Sequence, residues 1–481
     1  MATRDKTATV TETDKSDEIA FGRLGYQQVL HRSYSLFENF STSFAALYFV
    51  GGVRVTFTTG IAAGGPLAYW TSYIVTCSIY LWAAEAGGRR YGRLFGFIVA
   101  WWSTTAWTTF CASNTQSAVN YMLSELSVFN VDFPMDTNNL KFRAVQWICT
   151  EVFLGLAAWM NFASPRVFRW IFWLSNGAVF LDFILNLIWL PFGASDTYGL
   201  RTAHEAVMTT YNGTGVPDGW NWCLSYLATA GILIGFDASG HVAEETKSAT
   251  INAAKGIFWS TVVSGVFGFA AVILFLFTSP PIDVLFSYDA PQPFVPLYAV
   301  VLGRGGHIVM NNTAIAITAA SRLVFAVYRD GVLTLSHWVS RVSETGQPRN
   351  AVIVVWVVSA VISCTILPSS VAFTSLVSAA GVPSAAAYGL ICLGRLTLTR
   401  NEKLDAKWSL GQWSKPFQFV ALVWNAWVVA VLLSPYEFPV TAGTLNYAPI
   451  IMAIVTTFTL ASWFVTPADA WLRQGFTHAD E

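Results

Sequence analysis

The chain is dominated by runs of about twenty mostly apolar residues that follow one another with short polar gaps. That length matches the hydrocarbon thickness of a bilayer crossed by a helix. Twelve runs qualify, at about 39–63, 66–86, 93–122, 144–162, 168–192, 220–245, 256–279, 306–328, 351–368, 371–394, 417–435 and 447–466. Lipid offers no partner to an unpaired backbone group, and no alternating barrel-strand pattern is visible, so the runs are read as helices. Composition agrees. Only 11% of the 481 residues are charged, against about 25% in soluble proteins. The expected fold class is an all-α membrane protein in contact with the lipid bilayer.

Lys and Arg set the expected orientation. With the N-terminus inside, the cytosolic side collects Arg89, Arg90, Arg93, Arg166, Arg169, Lys247, Lys255, Arg329, Arg341, Arg349, Arg395, Arg400, Lys403, Lys407 and Lys415. The opposite side collects Lys141, Arg143, Arg201 and Arg304. Both termini are therefore expected in the cytosol. Residues 1–33 read as a disordered tail, 34–466 as the membrane domain and 467–481 as a second tail. The sequon at Asn212 lies in the 193–219 loop, which this topology puts outside, and is a glycosylation candidate. A plasma membrane is expected over an internal one.

Several function classes find no support. The six Cys lie in or beside apolar runs and read as free buried thiols. The six His show no metal-ligand spacing, so no metal and no cofactor is expected. A net charge of −1 argues against nucleic acid. No nucleophile elbow, phosphate loop or paired-carboxylate pattern suggests an enzyme.

The sixth run ends in "ILIGFDASGHVAEET", an unlikely sequence for an unbroken membrane helix. The first, "FSTSFAALYFVGGVRVTFTTG", is expected to break near Gly51 and Gly52, just before Arg54. Spans one and six are the first members of two sets of five. Interrupted helices in matching places point to a transporter's midplane site, where half-helix ends can hold a charged solute. Glycine can also serve packing, as in the i, i+4 pairs Gly60/Gly64 and Gly231/Gly235.

At this point "GFDASGHVAEETKSA" resembles the sixth-helix signature of the amino acid–polyamine–organocation superfamily of permeases. "SRLVFAVYRDGVLTLSHWVSRV" resembles its eighth-helix and loop signature, and "ENFSTSFAALYFVGGVR" with "YGRLFGFIVAWW" looks like its fungal amino acid, GABA and choline branch. The resemblance covers about residues 22 to 466. It implies a LeuT-type five-plus-five inverted repeat with two extra helices, and secondary transport by alternating access. Carried over residue by residue, it implies that Tyr48, Phe49, Gly51 and Gly52 in helix one, and Gly235, Phe236, Asp237, Ala238 and Ser239 in helix six, line the substrate site. Glu244 and Glu245 match the start of the inner half of helix six, with a gating or structural role.

Charges at membrane depth are costly and need a reason. Arg54 either holds a substrate carboxylate, pairs with Asp237 across the two breaks, or snorkels outward or anchors an outer gate. Asp182, in "VFLDFILNLIWL", has only large apolar neighbours in sequence and is a proton-coupling candidate, or else hydrogen-bonded packing glue. Glu151 raises the same question more weakly. Trp101, Trp102 and Trp107 are candidates to cap a cationic solute. Gly381 and Pro383 mark the tenth span as a gate helix or an ordinary kink.

Two places depart from the family pattern. The second span runs straight into "AAEAGGRRYG", as if some twenty residues were absent, and Glu85 then ends it. The eighth is about ten residues short, with Asn311 and Asn312 at apolar positions. The expected function is import of an amino acid or GABA-like solute, coupled to protons. The alternatives are a choline, polyamine or thiamine-like cation as solute, or a sensor or decayed permease that does not transport.

Overall fold

The computed structural model describes residues 34–80, 92–162, 165–238, 246–322, 349–368, 372–398, 411–436, 438–441 and 445–465. Both expected tails, Glu85, Ser239, Gly240, Glu244, Glu245 and most of the Ser321–Val342 motif lie outside these residues. The described chain is helical, with no strand, only two isolated bridges.

In chain order the helices are α1 (Leu36–Leu47), α2 (Phe49–Ala62), α3 (Gly65–Tyr80), α4 (Gly92–Val128), α5 (Leu140–Met160), α6 (Pro165–Thr197), α7 (Ala203–Val207), α8 (Asp218–Leu224), α9 (Tyr226–Leu233) and α10 (Ala249–Thr278). They continue as α11 (Ile282–Phe286), α12 (Phe294–Arg322), α13 (Arg349–Ser363), α14 (Ala372–Thr397), α15 (Ser414–Leu433) and α16 (Ala448–Val465). Six helical stretches among the described residues are long and apolar enough to cross a membrane: 36–62, 173–197, 251–278, 349–366, 375–397 and 411–433.

Local chemistry accounts for the starts. A capping box opens α1, with the Ser35 N–H donating to Glu38 at 2.9 Å and the Ser35 hydroxyl bonded to the same carboxylate. Asn139 caps α5 by accepting from the Lys141 N–H at 2.9 Å. The faces are sorted by helical period. On α6, Val179, Asp182, Phe183, Asn186 and Leu190 are buried, while Leu174, Leu181, Ile184, Ile188 and Phe192 are exposed. Asp182 thus sits in the buried stripe, and the apolar neighbours that isolate it in sequence mostly face away.

The first break is not where the sequence suggests. It falls at Tyr48, whose φ of 34° and ψ of 58° are left-handed, and Gly51 and Gly52 lie inside α2. Glycine is needed at 51 for another reason: a Cβ there would lie 2.0 Å from the Tyr48 ring. The sixth span does break where expected. It unwinds after α9, from Ile234 (ψ 133°) through Gly235, whose φ is +110°.

The eighth span also differs. The apolar stretch expected from 306 is the second limb of α12, which begins at Phe294 and is interrupted at Gly303 (φ 68°, ψ 175°). Its Asn311 is fully buried. Cys364 is exposed and Cys149 half-buried, against the expectation of buried thiols, because each lies on an outward helix face. On α14 the helix continues through Pro383, with Gly381 close to Ile234 and Leu432.

The glycine pairs divide by role. A Cβ at Gly60 would lie 2.1 Å from the Tyr69 ring and 3.2 Å from Ala228, so this glycine lets α2, α3 and α9 meet. Gly64 and Gly235 serve the backbone instead, both at positive φ. At Gly231 a Cβ would meet only Val377 at 3.7 Å. Gly60→Ala should therefore cost about 1–3 kcal/mol, and Gly231→Ala within about 0.5 kcal/mol. Thermal unfolding of the purified variants checks the contrast.

Candidate functional site

The two breaks abut. Gly52 of α2 lies against Ile232 of α9, where a Cβ would be 3.4 Å from the isoleucine side chain. The Ser43 hydroxyl of α1 donates to the Phe236 carbonyl at 2.7 Å, tying the first half-helix to the unwound segment. Further in, Asn39 donates to Thr246 at 3.0 Å and the Lys247 N–H donates to the Tyr34 carbonyl at 2.8 Å. A helix leaves its first N–H groups and last carbonyls without intrahelical partners. Interrupting two neighbouring helices at one level concentrates such groups there.

Between the breaks and α4 is a cavity of about 70 Å³. Tyr48, Gly51, Gly52, Val55 and Thr56 form one wall, and Gly231, Ile232 and Ile234 a second. The third wall is α4, with Trp107, Phe110, Ser113, Asn114 and Ser117 recurring every three or four residues. The Asn114 amide nitrogen donates back to the Phe110 carbonyl at 2.7 Å, which fixes the side chain on the wall. Trp107 also packs on the unwound segment: its indole lies 3.1 Å from where a Cβ would sit on Gly235. No side chain among the described lining residues is charged.

The charge lies behind the cavity wall, around Arg54. Its guanidinium and the Asp182 carboxylate are fully buried and 2.8 Å apart. Arg54 has five N–H donors, and all are used. Nε donates to the Tyr121 hydroxyl at 2.9 Å. Nη1 donates to Asp182 at 3.2 Å and Tyr298 at 2.9 Å. Nη2 donates to Tyr48 at 2.9 Å and Asp182 at 2.8 Å.

Asp182 is equally saturated. Beyond Arg54 it accepts from the Tyr48 hydroxyl at 3.0 Å and the Asn186 amide at 3.0 Å, while Tyr298 donates to Asn186 at 2.6 Å. The network joins α2, α4, α6 and α12. It also reaches the cavity, because the Tyr48 ring lines that space and its hydroxyl lies among the charges.

The residues singled out in the sequence thus divide into groups. Tyr48, Gly51 and Gly52 face the cavity. Phe49 packs inward instead, among Phe44, Phe183 and Phe267. Arg54 pairs with Asp182 and not with Asp237, because α6 carries its carboxylate into the same buried layer. Asp237 accepts from the Tyr388 hydroxyl of α14 at 2.7 Å, and the Phe236 ring packs on Tyr388 at 4.8 Å. Ala238 is buried, its N–H on the Gly235 carbonyl at 3.2 Å.

Of the three tryptophans, only Trp107 reaches the cavity. Trp101 packs on Phe458 and Trp102 donates to Thr456, both on α16. Glu151 bonds to Ser363 of α13. Asn212 is exposed, but its amide nitrogen donates to Val216 at 2.7 Å while its oxygen accepts from Thr214 and Gly215, closing the loop against α2.

Tyr121, Asn186, Tyr298 and the α4 residues Phe110, Ser113, Asn114 and Ser117 escaped the sequence reading. The α4 set was detectable in principle, as a polar stripe at helical spacing within an apolar span. Removing one member of a buried pair strands the other charge, at about 3–5 kcal/mol. Arg54→Met and Asp182→Leu should each lose most folded protein, and the double variant should recover much of it. Size-exclusion yield and thermal unfolding of the three variants check this.

Comparison with known proteins places this geometry in a family. The amino acid permease family matches over residues 33–456. A thiamine transporter of Schizosaccharomyces pombe is 46% identical over 98% of this chain and 89% of its own. Its alignment takes 527 positions for a chain of 481 residues, so that relative carries inserted segments that this chain lacks. An amino-acid permease of Arabidopsis thaliana is 26% identical over 93% of this chain and 94% of its own. A putative polyamine transporter of Candida albicans is 23% identical over 98% and 91%. These relatives are transporters rather than enzymes, and the chain belongs to the amino acid permease family, within the amino acid–polyamine–organocation superfamily.

Proposed function

We propose that the chain imports an organic cation of the thiamine class by alternating access, driven by the proton gradient. The observation that carries this is the cavity: three aromatic rings (Tyr48, Trp107 and Phe110), neutral polar groups, and no charged side chain among the described lining residues. A delocalised cation is held well by ring faces, at about 0.5–2 kcal/mol per contact. Ser113, Asn114 and Ser117 suit hydrogen bonding to a heterocycle's polar edge. Arg54, which would repel a cation, has every N–H committed elsewhere. The 46% identity to a thiamine transporter supports the same choice.

In this reading the chain carries twelve spans as a five-plus-five inverted repeat with two extra helices, both termini cytosolic, in the plasma membrane. Cavity residues Tyr48, Gly51 and Gly52, the Gly235–Ala238 segment and Ser239 form the solute site. Asp237 and Tyr388 belong to its inner end. Arg54 and Asp182 brace it.

A second reading, uptake of an amino acid or GABA, has one observation in its favour. The N-terminal turn of α2 puts Gly51 and Gly52 on the cavity wall, and a helix N-terminus suits a carboxylate. An Arg54 substitution does not separate the two, because it strands Asp182 whichever solute binds.

Uptake of labelled thiamine, choline, spermidine, GABA and a mixed amino acid set into proteoliposomes, with and without an inward proton gradient, separates them. Thiamine uptake stimulated by the gradient is the expected result. Amino acid uptake without thiamine uptake moves the assignment to the second reading, and binding without uptake identifies a sensor. Trp107→Leu should raise the KM for thiamine about tenfold, a loss of about 1.4 kcal/mol, while Trp107→Phe, which keeps a ring, loses less.

A further inference from the structure

A second buried titratable cluster lies between α4 and the second limb of α12. The His307 Nε2 and a Glu125 carboxylate oxygen are 2.8 Å apart. The Asn311 amide donates to the other carboxylate oxygen at 2.8 Å. The His307 side chain is fully buried, while that of Glu125 is 21% exposed. Two polar atoms of the cluster, His307 Nδ1 and Asn311 Oδ1, are buried with no partner among the described residues. The asparagine that looks misplaced in an apolar span is therefore part of a polar site.

We propose that Glu125 and His307 form a proton-binding site at the outer end of α4, and that its loading sets the dependence of uptake on external pH. The Asn311 amide donates to one carboxylate oxygen, and an ionised Glu125 has no proton to give from the other, so the proton of its contact with His307 then lies on Nε2. The remaining position is Nδ1. With a proton there, imidazolium and carboxylate form a neutral ion pair. Without it, the buried cluster carries one uncompensated negative charge, which a poorly solvated setting disfavours.

Two features tie the site to transport, and this part rests on the transporter reading above. Tyr121, which accepts from Arg54, is one helical turn from Glu125 on the same face of α4. The same helix carries Trp107, Phe110, Ser113, Asn114 and Ser117 to the cavity. A charge gained or lost at Glu125 thus acts on the helix that forms the solute wall and braces the Arg54 network. Access is short, since α4 ends three residues on, at Val128.

The other charged groups on the helices packed on α4 and α12 are Arg304 on α12, Lys141, Arg143 and Glu151 on α5, Asp182 and Asp196 on α6, Arg349 on α13, Arg395 on α14, Glu38 on α1 and Arg54 on α2. Arg304 lies over the Phe129 ring at 6.0 Å, and that ring contacts His307 at 5.8 Å. None of these groups forms an ion pair with His307 or Glu125 among the described residues.

The test uses the full chain, as wild type, Glu125→Gln and His307→Gln, with two readouts. In proteoliposomes held at a fixed pH difference across the membrane, wild-type uptake should change about tenfold between external pH of about 5 and 8, and change less than about twofold in the variants. In detergent, the unfolding temperature of wild type should vary across that range and the variants' profiles should be flatter. Variant profiles parallel to wild type in both assays overturn the proposal, as a purely structural pair would give. If the Gln variants do not fold, Glu125→Asp decides: it keeps the carboxylate and should displace the profile along the pH axis, and superposition on wild type overturns the proposal. Absence of uptake of every solute with the detergent difference intact would instead refute the transporter reading and leave the proton site standing.

Discussion

The Arg54–Asp182 pair is the interaction on which the rest of the membrane domain depends. A guanidinium and a carboxylate placed separately in a low-dielectric interior would each cost several kcal/mol. Here each cancels the other, and Tyr48, Tyr121, Tyr298 and Asn186 use up the remaining donors and acceptors. Such a cluster tolerates one arrangement, because a shift of any helix leaves a buried polar group unpaired. It therefore sets the relative positions of α2, α4, α6 and α12, and with them the wall of the cavity.

Tyr48 connects this framework to the cavity. It is the hinge of the first broken helix, held left-handed at a cost its neighbours must offset. Its hydroxyl is anchored between Arg54 and Asp182, and its ring forms part of the cavity wall. Gly51 leaves room for that ring, which is why a glycine pair follows the hinge instead of forming it. The second break is of another kind. Gly235 itself takes the positive φ, and Trp107 fills the space that a side chain would occupy. Two interruptions that look alike in sequence thus arise from a caged tyrosine and a bare glycine.

Much of the fold was legible because the bilayer imposes a simple rule on sequence. Apolar runs of span length must be helical, so most helix positions followed from length and composition, the eighth span excepted. The broken sixth helix was equally plain, since Gly, Asp, Ser and Gly so close together do not suit an unbroken membrane helix. The partner of Arg54 was harder. Asp182 lies 128 positions away, and its neighbours in sequence suggest isolation. Helical periodicity turns those neighbours outward and the carboxylate inward, but which inward group it meets depends on how α2 and α6 pack. The tyrosines of the cluster gave no signal, because a tyrosine in an apolar span reads equally well as interfacial or packed.

By itself the sequence determined the class of molecule, the order of its helices, its family and the presence of two interruptions, because each is encoded locally in hydropathy and backbone preference. Tertiary structure alone decided where the first helix breaks, that Arg54 belongs to Asp182 and not to Asp237, which of three tryptophans reaches the cavity, and that Asn311 has Glu125 as a partner. These are long-range pairings between helices. The energy that selects them comes from satisfying buried charges and hydrogen bonds across the packed bundle, and no single stretch of chain contains both halves of such a contact.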